Sequence, residues 1–198
     1  DELISTIRQL KRQKKFGLIW EDKPEDVAEQ CQKQLPVLEE VKDKAVSKVA
    51  NGPTNLLIEG DNYHSLSVLN YTHAGKIDLI YIDPPYNTGK KDFVYNDRYV
   101  DLQDSFRHSK WLSFIEKRLQ LAKTLLSTTG LIFISIDDNE FAQLKMLCDE
   151  IFGQDQVDVL IWRKSGDGRY GKMKNTTTFR KDHEYIIVCY LDEKKLNK

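Results

Sequence analysis

The residues with the clearest chemical potential are Asp83–Asn87, with the sequence Asp-Pro-Pro-Tyr-Asn, which directly follow the apolar run Ile77–Ile82. That run is short, rich in isoleucine and interrupted only by Asp78, so it predicts a strand buried on both faces. Neither proline can donate a backbone hydrogen bond, and each restricts the residue before it, so the chain must leave the sheet in a stiff corner. Ligands of open α/β sheets bind beyond the carboxyl ends of the strands, where this corner lies.

The corner is predicted to hold an amino group on a flat ring. The carboxylate of Asp83 and the carbonyl of Pro84 would offer two neighbouring acceptors, and an exocyclic amine has two N–H donors. The ring of Tyr86 can stack on the base that carries the amine. Asp83, Pro84, Pro85 and Tyr86 are therefore the candidate catalytic residues, with the amino group of adenine as the target. An ordinary strand-to-loop turn with an incidental tyrosine is the alternative.

The segment Asp83–Gly89 resembles the catalytic motif of DNA amino-methyltransferases that use S-adenosylmethionine. Further along, Arg107–Trp111, Arg118–Leu119 and Gly130–Glu140 resemble the modification (Mod) subunits of type III restriction–modification systems. The resemblance runs from about Phe16 to the end of the chain, with the motifs in the family's order. It implies a site-specific DNA adenine-N6 methyltransferase, and aspartate in the first motif position favours adenine over cytosine.

The same resemblance implies a partial S-adenosylmethionine-dependent methyltransferase fold and a set of partners. These are double-stranded DNA with the target adenine flipped out, a restriction (helicase-nuclease) subunit, and a second Mod subunit in a homodimer when full length. The family's Phe-x-Gly-x-Gly cofactor loop does not occur in this sequence. The family places that loop and its target-recognition region after the catalytic half. We therefore expect an N-terminal fragment, inactive alone, that binds S-adenosylmethionine weakly or not at all.

Two other functions remain open from the sequence. One is a stand-alone type II DNA amino-methyltransferase, which would act on adenine N6 or cytosine N4. The other is a non-catalytic interaction module that keeps the fold. A third possibility, a dinucleotide site at the Gly-x-Gly-x-x-Gly pattern of residues 166–171, is rejected because Lys172–Thr178 is a poor helix opening.

Two acidic residues are candidates for contact with the cofactor. Asp61 follows Leu56–Glu59, which is predicted to be a buried strand, and it is either a helix N-cap or a contact with the adenine or ribose of the cofactor. The resemblance implies a cofactor-proximal acidic residue in this neighbourhood. Asp83 is the second candidate, because the reacting methyl group must approach the same corner.

The candidate substrate contacts lie in a loop and in the last apolar segment. Residues 87–104 are polar and aromatic without a period, and a loop of this length is functional or disordered. Asn87, Lys90 and Lys91 would contact substrate if the loop closes as a flap over an extruded base; a surface loop with locally packed aromatic side chains is the alternative. The resemblance makes His183 and Tyr185 part of the target-base pocket, and Tyr185 as a core residue is equally open.

The hydrophobic pattern predicts an α/β fold with a mostly parallel sheet flanked by helices on both faces and a last strand that runs antiparallel at or near an edge. We expect a helix over His108–Leu126 with one buried apolar stripe, and a second helix whose N-cap is Asp137 or Asp138 and which Gly153 ends. Residues 1–53 are predicted to be a helical extension and residues 54–198 the catalytic-motif half of the domain. The predicted strands are Leu56–Glu59, Ile77–Ile82, Leu131–Ile136, Val157–Trp162 and His183–Tyr190.

Composition limits the remaining choices. The 198 residues are 40% hydrophobic and 31% charged, which is typical of one globular domain. The net charge of −1 argues against a dominant non-specific grip on nucleic acid, and the basic run Arg8–Lys15 is either a solvated helix face or a contact with the DNA backbone. The three cysteines are widely spaced and predict no metal site, and with no apolar stretch long enough to cross a membrane they indicate a reducing, cytoplasmic setting.

Overall fold

The computed structural model describes residues 19–45, 54–164 and 182–192. The basic run Arg8–Lys15 and the glycine-rich segment 165–171 lie outside the described residues. The elements are α1 (Asp26–Lys33), α2 (Asn62–His73), β1 (Ile77–Ile82), β2 (Val94–Tyr95), β3 (Arg98–Tyr99), α3 (Arg107–Leu125), β4 (Leu126–Ile136), α4 (Phe141–Phe152), β5 (Val157–Arg163) and β6 (His183–Tyr190), with short 3-10 turns at Lys42–Lys44 and Gln154–Gln156.

Four of these strands form one sheet in the order β1, β4, β6, β5. β1 pairs in parallel with β4, and β6 runs antiparallel to both β4 and β5. Three strands therefore share one direction, and the prediction that the last strand is antiparallel is confirmed, although β5 rather than β6 holds the edge. Ile82 pairs with Ile134, and Ile136 pairs with Tyr185. The carboxyl ends of β1 and β4 and the amino end of β6 therefore lie together along the same edge of the sheet, where the strands end.

The hydrophobic core lies against one face of this sheet. Every second residue of β4 from Ile132 to Ile136 is fully buried, and so is the matching residue Ile187 of β6. The apolar stripe predicted on α3 packs here together with α4, and Cys148 and Cys189 are buried in the same core. Because alternate strand residues point to the same face, α3 and α4 cover the same side of the sheet. The buried stripe of α3 comprises Trp111, Leu112, Ile115, Leu119 and Ala122.

Two expectations about strands are wrong. Leu56–Glu59 is not a strand, and the side chain of Leu57 is 97% exposed, because no described strand lies beside this segment to pair with it. β1 is not buried on both faces, since Leu79 and Tyr81 are 59% and 61% exposed. The apolar pattern identified the strand correctly but could not show that β1 lies at an edge of the described sheet.

The described part of the N-terminal region packs directly on this framework. Its only α-helix within the described residues is α1, Asp26–Lys33. Glu25 precedes that helix and forms an ion pair of 2.7 Å with Arg118 of α3, and both side chains are buried. The hydroxyl of Tyr95 donates to the Lys23 carbonyl at 2.8 Å, and Trp20 packs against the core. The division into two domains at residue 53 stays a prediction.

Within the described residues, none of the helices is both long enough and apolar enough to cross a bilayer.

Candidate functional site

The chain turns sharply at the carboxyl end of β1. Asp83 follows the last strand residue and is exposed, whereas Pro84 is buried beneath it. The indole nitrogen of Trp111, a fully buried residue in the second turn of α3, donates to the Pro85 carbonyl at 2.6 Å. The carbonyl of Pro85 is therefore engaged within the protein, and the carboxylate of Asp83 faces solvent at the edge where ligands of such sheets bind. Its catalytic role stays a prediction.

Tyr86 is half-buried in the same corner, close enough to Asp83 for the carboxylate to affect its ionisation. Burial raises the pKa of Tyr86, and the nearby negative charges of Asp83 and Glu184 raise it further. The phenol of Tyr86 therefore stays neutral near pH 7. Since a carboxylate has about four acceptor positions and Asp83 is exposed, its oxygens can accept from an incoming amino group.

Asn87 forms the far side of the corner and is almost completely buried. Its backbone has a φ of 56°, in the left-handed region that residues other than glycine seldom adopt. Its side-chain amide donates to the Arg107 carbonyl at 3.3 Å and to Glu140 Oε1 at 2.5 Å. Asn87 was predicted to contact substrate, but in the structure its side chain points into the protein, where it ties the corner to the amino ends of α3 and α4.

Glu140 is a residue that the sequence analysis did not single out. It precedes α4 at the N-cap position, and its side chain is fully buried rather than capping the helix. Burial raises the pKa of Glu140 to about 7, against the lowering effects of the Asn87 hydrogen bond and the Arg107 charge. His108 Nδ1 lies 2.7 Å from Glu140 Oε1. The acidic run Asp137–Glu140 was visible in the sequence, but nothing local showed which member turns inward.

The expectation that Asp137 or Asp138 caps α4 is wrong. The helix begins later, at Phe141, and its N-cap residue makes no side-chain capping bond. Asp137 instead accepts from the backbone N–H of Asn139 at 2.9 Å, which is a local turn that delays the start of the helix.

His183 and Tyr185 lie at the start of β6, on the same edge of the sheet as the end of β1. The ring of Tyr185 stacks on Phe141 with centroids 3.9 Å apart, while its hydroxyl donates to Asp138 at 3.1 Å. His183 Nε2 lies 3.1 Å from the same hydroxyl. Tyr185 thus has a ring packed against the core and a polar end at the candidate site, and its contact with a base stays a prediction.

Asp61 is the N-cap of α2, as one of its two interpretations required. Its carboxylate accepts from the Tyr63 backbone N–H at 2.7 Å and lies 3.7 Å from the guanidinium of Arg118. The side chain remains partly exposed, and a cavity of about 300 Å³ opens beside it, lined in part by Gly60 and His64. The cap is confirmed, and the cofactor contact stays a prediction.

The loop that was considered as a flap contains a small hairpin. β2 and β3 are joined by Asn96 and Asp97, both with positive φ, as in the two-residue turns that match strand twist. Phe93 and Tyr95 are buried, so for these two side chains the locally packed alternative is correct. Lys90 and Lys91 are exposed, which leaves their predicted contact with substrate open.

Comparison with known proteins gives the family. A family described as "DNA methylase" (N6_N4_Mtase) matches residues 77–198, more than half of the chain. The chain is 42% identical to the type III restriction-modification enzyme EcoP15I Mod subunit of Escherichia coli over 72% of this chain and 25% of that protein. It is 43% identical to the type II methyltransferase M.KpnI of Klebsiella pneumoniae over 65% of this chain and 30% of that protein.

The chain spans about a quarter of the length of the type III relatives EcoP15I and EcoPI, the latter from Escherichia phage P1 and 41% identical over 68% of this chain. Among solved structures, a DNA modification methylase of Thermus thermophilus, TTHA0409, aligns with a TM-score of 0.44 and 17% identity over 66% of this chain and 50% of that chain. The match over residues 77–198 includes the whole corner and the sheet that carries it. The chain therefore belongs to the N6_N4_Mtase family of DNA methylases.

Proposed function

We propose that this chain is the catalytic-motif part of a longer Mod-type DNA methyltransferase that modifies adenine N6 in a specific site of double-stranded DNA. The observation that carries the proposal is the solvent-facing carboxylate of Asp83 at the carboxyl end of β1, beside Tyr86 and on a corner anchored from behind. Membership of the DNA methylase family supports it.

The corner would act by making a poor nucleophile more reactive. The lone pair of adenine N6 is delocalised into the ring, so the amino group attacks weakly. Two hydrogen bonds from that amino group, one to Asp83 and one to the Pro84 carbonyl, would favour a tetrahedral nitrogen with a localised lone pair. Asp83 need not be a strong base, because the proton can leave after transfer; positioning and electrostatics supply the acceleration. Tyr86 would stack on the flipped base.

S-adenosylmethionine would supply the electrophilic methyl group when bound. The residues present fit part of this molecule. The partly exposed carboxylate of Asp61, beside a cavity of about 300 Å³, can accept hydrogen bonds from an adenine amine or ribose hydroxyls. The negative charge of Asp83 would attract the positively charged sulfonium of the cofactor. The sequence contains no Phe-x-Gly-x-Gly loop, so we propose that this chain alone binds the cofactor weakly or not at all; tight binding in a calorimetric titration would refute this.

The partners follow from the relatives. Three relatives that are 41–47% identical to this chain are named as Mod subunits of type III restriction-modification enzymes. We therefore propose a restriction subunit with helicase and nuclease activity, a Mod homodimer, and action on DNA in the cytoplasm. The similarity to M.KpnI supports a second candidate, a stand-alone type II methyltransferase. Co-purification of the longer protein with a helicase-nuclease subunit would separate the two.

The test of catalysis is methyl transfer from labelled S-adenosylmethionine to DNA by the longer protein. Asp83→Asn should lower the rate by about 100-fold or more, because the charged acceptor that polarises the nucleophile becomes a neutral amide oxygen, which accepts more weakly. Asp78→Asn is the matched control: it makes the same change on the same strand, where Asp78 accepts from Ser127 far from the corner. Full activity of Asp83→Asn would refute the proposal and favour a non-catalytic module.

A further inference from the structure

Tyr86 lies between two residues that buried side chains hold in place. On one side, Trp111 binds the Pro85 carbonyl. On the other, Glu140 accepts from the Asn87 side chain, at a sequence separation of 53 residues. A residue anchored on both sides has little freedom to rotate its backbone, so the direction of the Tyr86 ring and of the neighbouring Asp83 depends on these two anchors.

The Glu140 anchor is shared with His108. Arg107 Nε donates to His108 Nε2 at 3.2 Å, so the neutral imidazole carries its proton on Nδ1. Nδ1 lies 2.7 Å from Glu140 Oε1, the same oxygen that accepts from Asn87. One carboxylate oxygen therefore receives two donors, which an ionised carboxylate does far better than a neutral acid.

The arrangement of Asn87 and Glu140 is energetically unfavourable in two respects. Asn87 has a φ of 56°, a conformation that asparagine adopts more readily than most residues but that still costs some free energy. Within the described residues, Asn87 Oδ1 and Glu140 Oε2 are also buried without a hydrogen-bond donor. An apolar residue at position 140 would remove the unsatisfied Glu140 Oε2, so the carboxylate has a use beyond filling space.

We propose that Glu140 is a positioning residue for methyl transfer: its ionised carboxylate holds Asn87 in the left-handed conformation and thereby sets the orientation of Tyr86 and Asp83. This inference rests on the proposed function. Glu140 touches neither base nor cofactor and acts through Asn87. The charged and titratable groups that face it are Arg107 and His108 at the start of α3 and Asp137 at the end of β4.

The proposal predicts a pH dependence of catalysis. Burial raises the pKa of Glu140 to about 7, so the carboxylate becomes protonated as the pH falls through neutrality, and its two donors then face a weaker acceptor. In the longer protein, the maximal transfer rate should rise through about pH 7. Glu140→Gln resembles the protonated form, so its rate should be flat over this range and about tenfold below wild type at pH 8.5, with little change in the DNA KM.

A second variant separates the hydrogen bond from the backbone conformation. Asn87→Gly adopts the positive φ without strain but loses the amide donor. It should lower the rate about as much as Glu140→Gln, and the double variant should be no worse than either alone, because both changes remove one interaction. Asp97→Gly is the matched control, since Asp97 also has a positive φ, of 60°, but lies in the exposed hairpin turn.

Hydrogen exchange supplies a readout that needs no activity. The amides of residues 86–90 should exchange about tenfold faster in Glu140→Gln at pH 8, while those of β6 are unchanged. A wild-type pH profile in Glu140→Gln, or unaltered exchange at residues 86–90, overturns the inference. Loss of the proposed function would appear separately, as full activity of Asp83→Asn or no transfer by wild type, and the exchange experiment then still decides the role of Glu140.

Discussion

Replacing Glu140 with glutamine should change how the stability of this fold depends on pH. The folded protein holds the pKa of Glu140 at about 7, whereas the ordinary value is 4.5, because burial penalises the charged form. The folded state therefore binds this proton more tightly than the unfolded chain does. The stabilisation is complete below pH 4.5 and is lost as the pH rises through about 7.

The size of the effect follows from that difference of about 2.5 pH units. At ~1.36 kcal/mol per unit, the wild type should lose about 3 kcal/mol between pH 4.5 and pH 8 that the glutamine variant does not lose. Burial lowers the pKa of His108, so the folded protein binds this proton less tightly than the unfolded chain does. The contribution of His108 to stability is therefore lost as the pH falls below 6.5, which is opposite to the effect of Glu140. Both proteins contain His108, so the difference between their curves reports Glu140.

The measurement is urea unfolding of both proteins at intervals from pH 4.5 to pH 8. The difference in their free energies of unfolding should grow in favour of the variant as the pH rises. A constant difference over this range would show that Glu140 has the same pKa in the folded and unfolded chains, and would remove the electrostatic part of the reasoning about the corner. Gln143→Glu is a useful comparison, because it places a carboxylate nearby on the half-buried face of α4.

Three further changes test other parts of the structure. Gly89→Ala should cost about 2–4 kcal/mol in thermal or urea unfolding, because φ is 75° and the new Cβ would lie 2.7 Å from a Leu102 carbon. Glu25→Ala should cost about 3 kcal/mol, at the low end for a broken buried pair, because the guanidinium of Arg118 loses its 2.7 Å partner and keeps the longer contact with Asp61, whereas the double change with Arg118→Met should recover most of that loss. Lys90→Ala with Lys91→Ala should reduce the slope of log affinity for DNA against log salt by about 2 in a binding titration of the longer protein; an unchanged slope would exclude both lysines from phosphate contact.

The elements that were predicted correctly from the sequence are those that depend on local residue patterns. The apolar run of β1, the stripe on α3 and the last strand follow from side-chain periodicity, and the cap at Asp61 follows from residue type beside a helix start. The same reasoning failed for Leu56–Glu59, because a strand also needs a neighbour to pair with, and pairing is not a local property.

The residues that hold the candidate site in place could not be predicted from the sequence, because their contacts are also not local. The bond between Asn87 and Glu140 spans 53 residues, and that between Arg118 and Glu25 spans 93. Which acid of the run Asp137–Glu140 turns inward depends on where α4 begins, and the local turn at Asp137 moved that start beyond the predicted position. The chemistry of the corner was visible in five consecutive residues, whereas the residues that orient it come from two other elements.

The first turns of α3 anchor the corner. Three of its residues contact the corner or its anchor: the Arg107 carbonyl accepts from Asn87, His108 binds Glu140, and Trp111 binds Pro85. Stability alone would favour a neutral residue at position 140, since ionisation of Glu140 weakens the fold as the pH rises. A charged acceptor binds its two donors more strongly. Ionised Glu140 therefore orients the corner near pH 7 but lowers the free energy of unfolding. The ionised carboxylate of Glu140 costs stability and so brings no benefit to folding alone. Its stronger hydrogen bonds therefore support a role of Glu140 in positioning Asp83 and Tyr86.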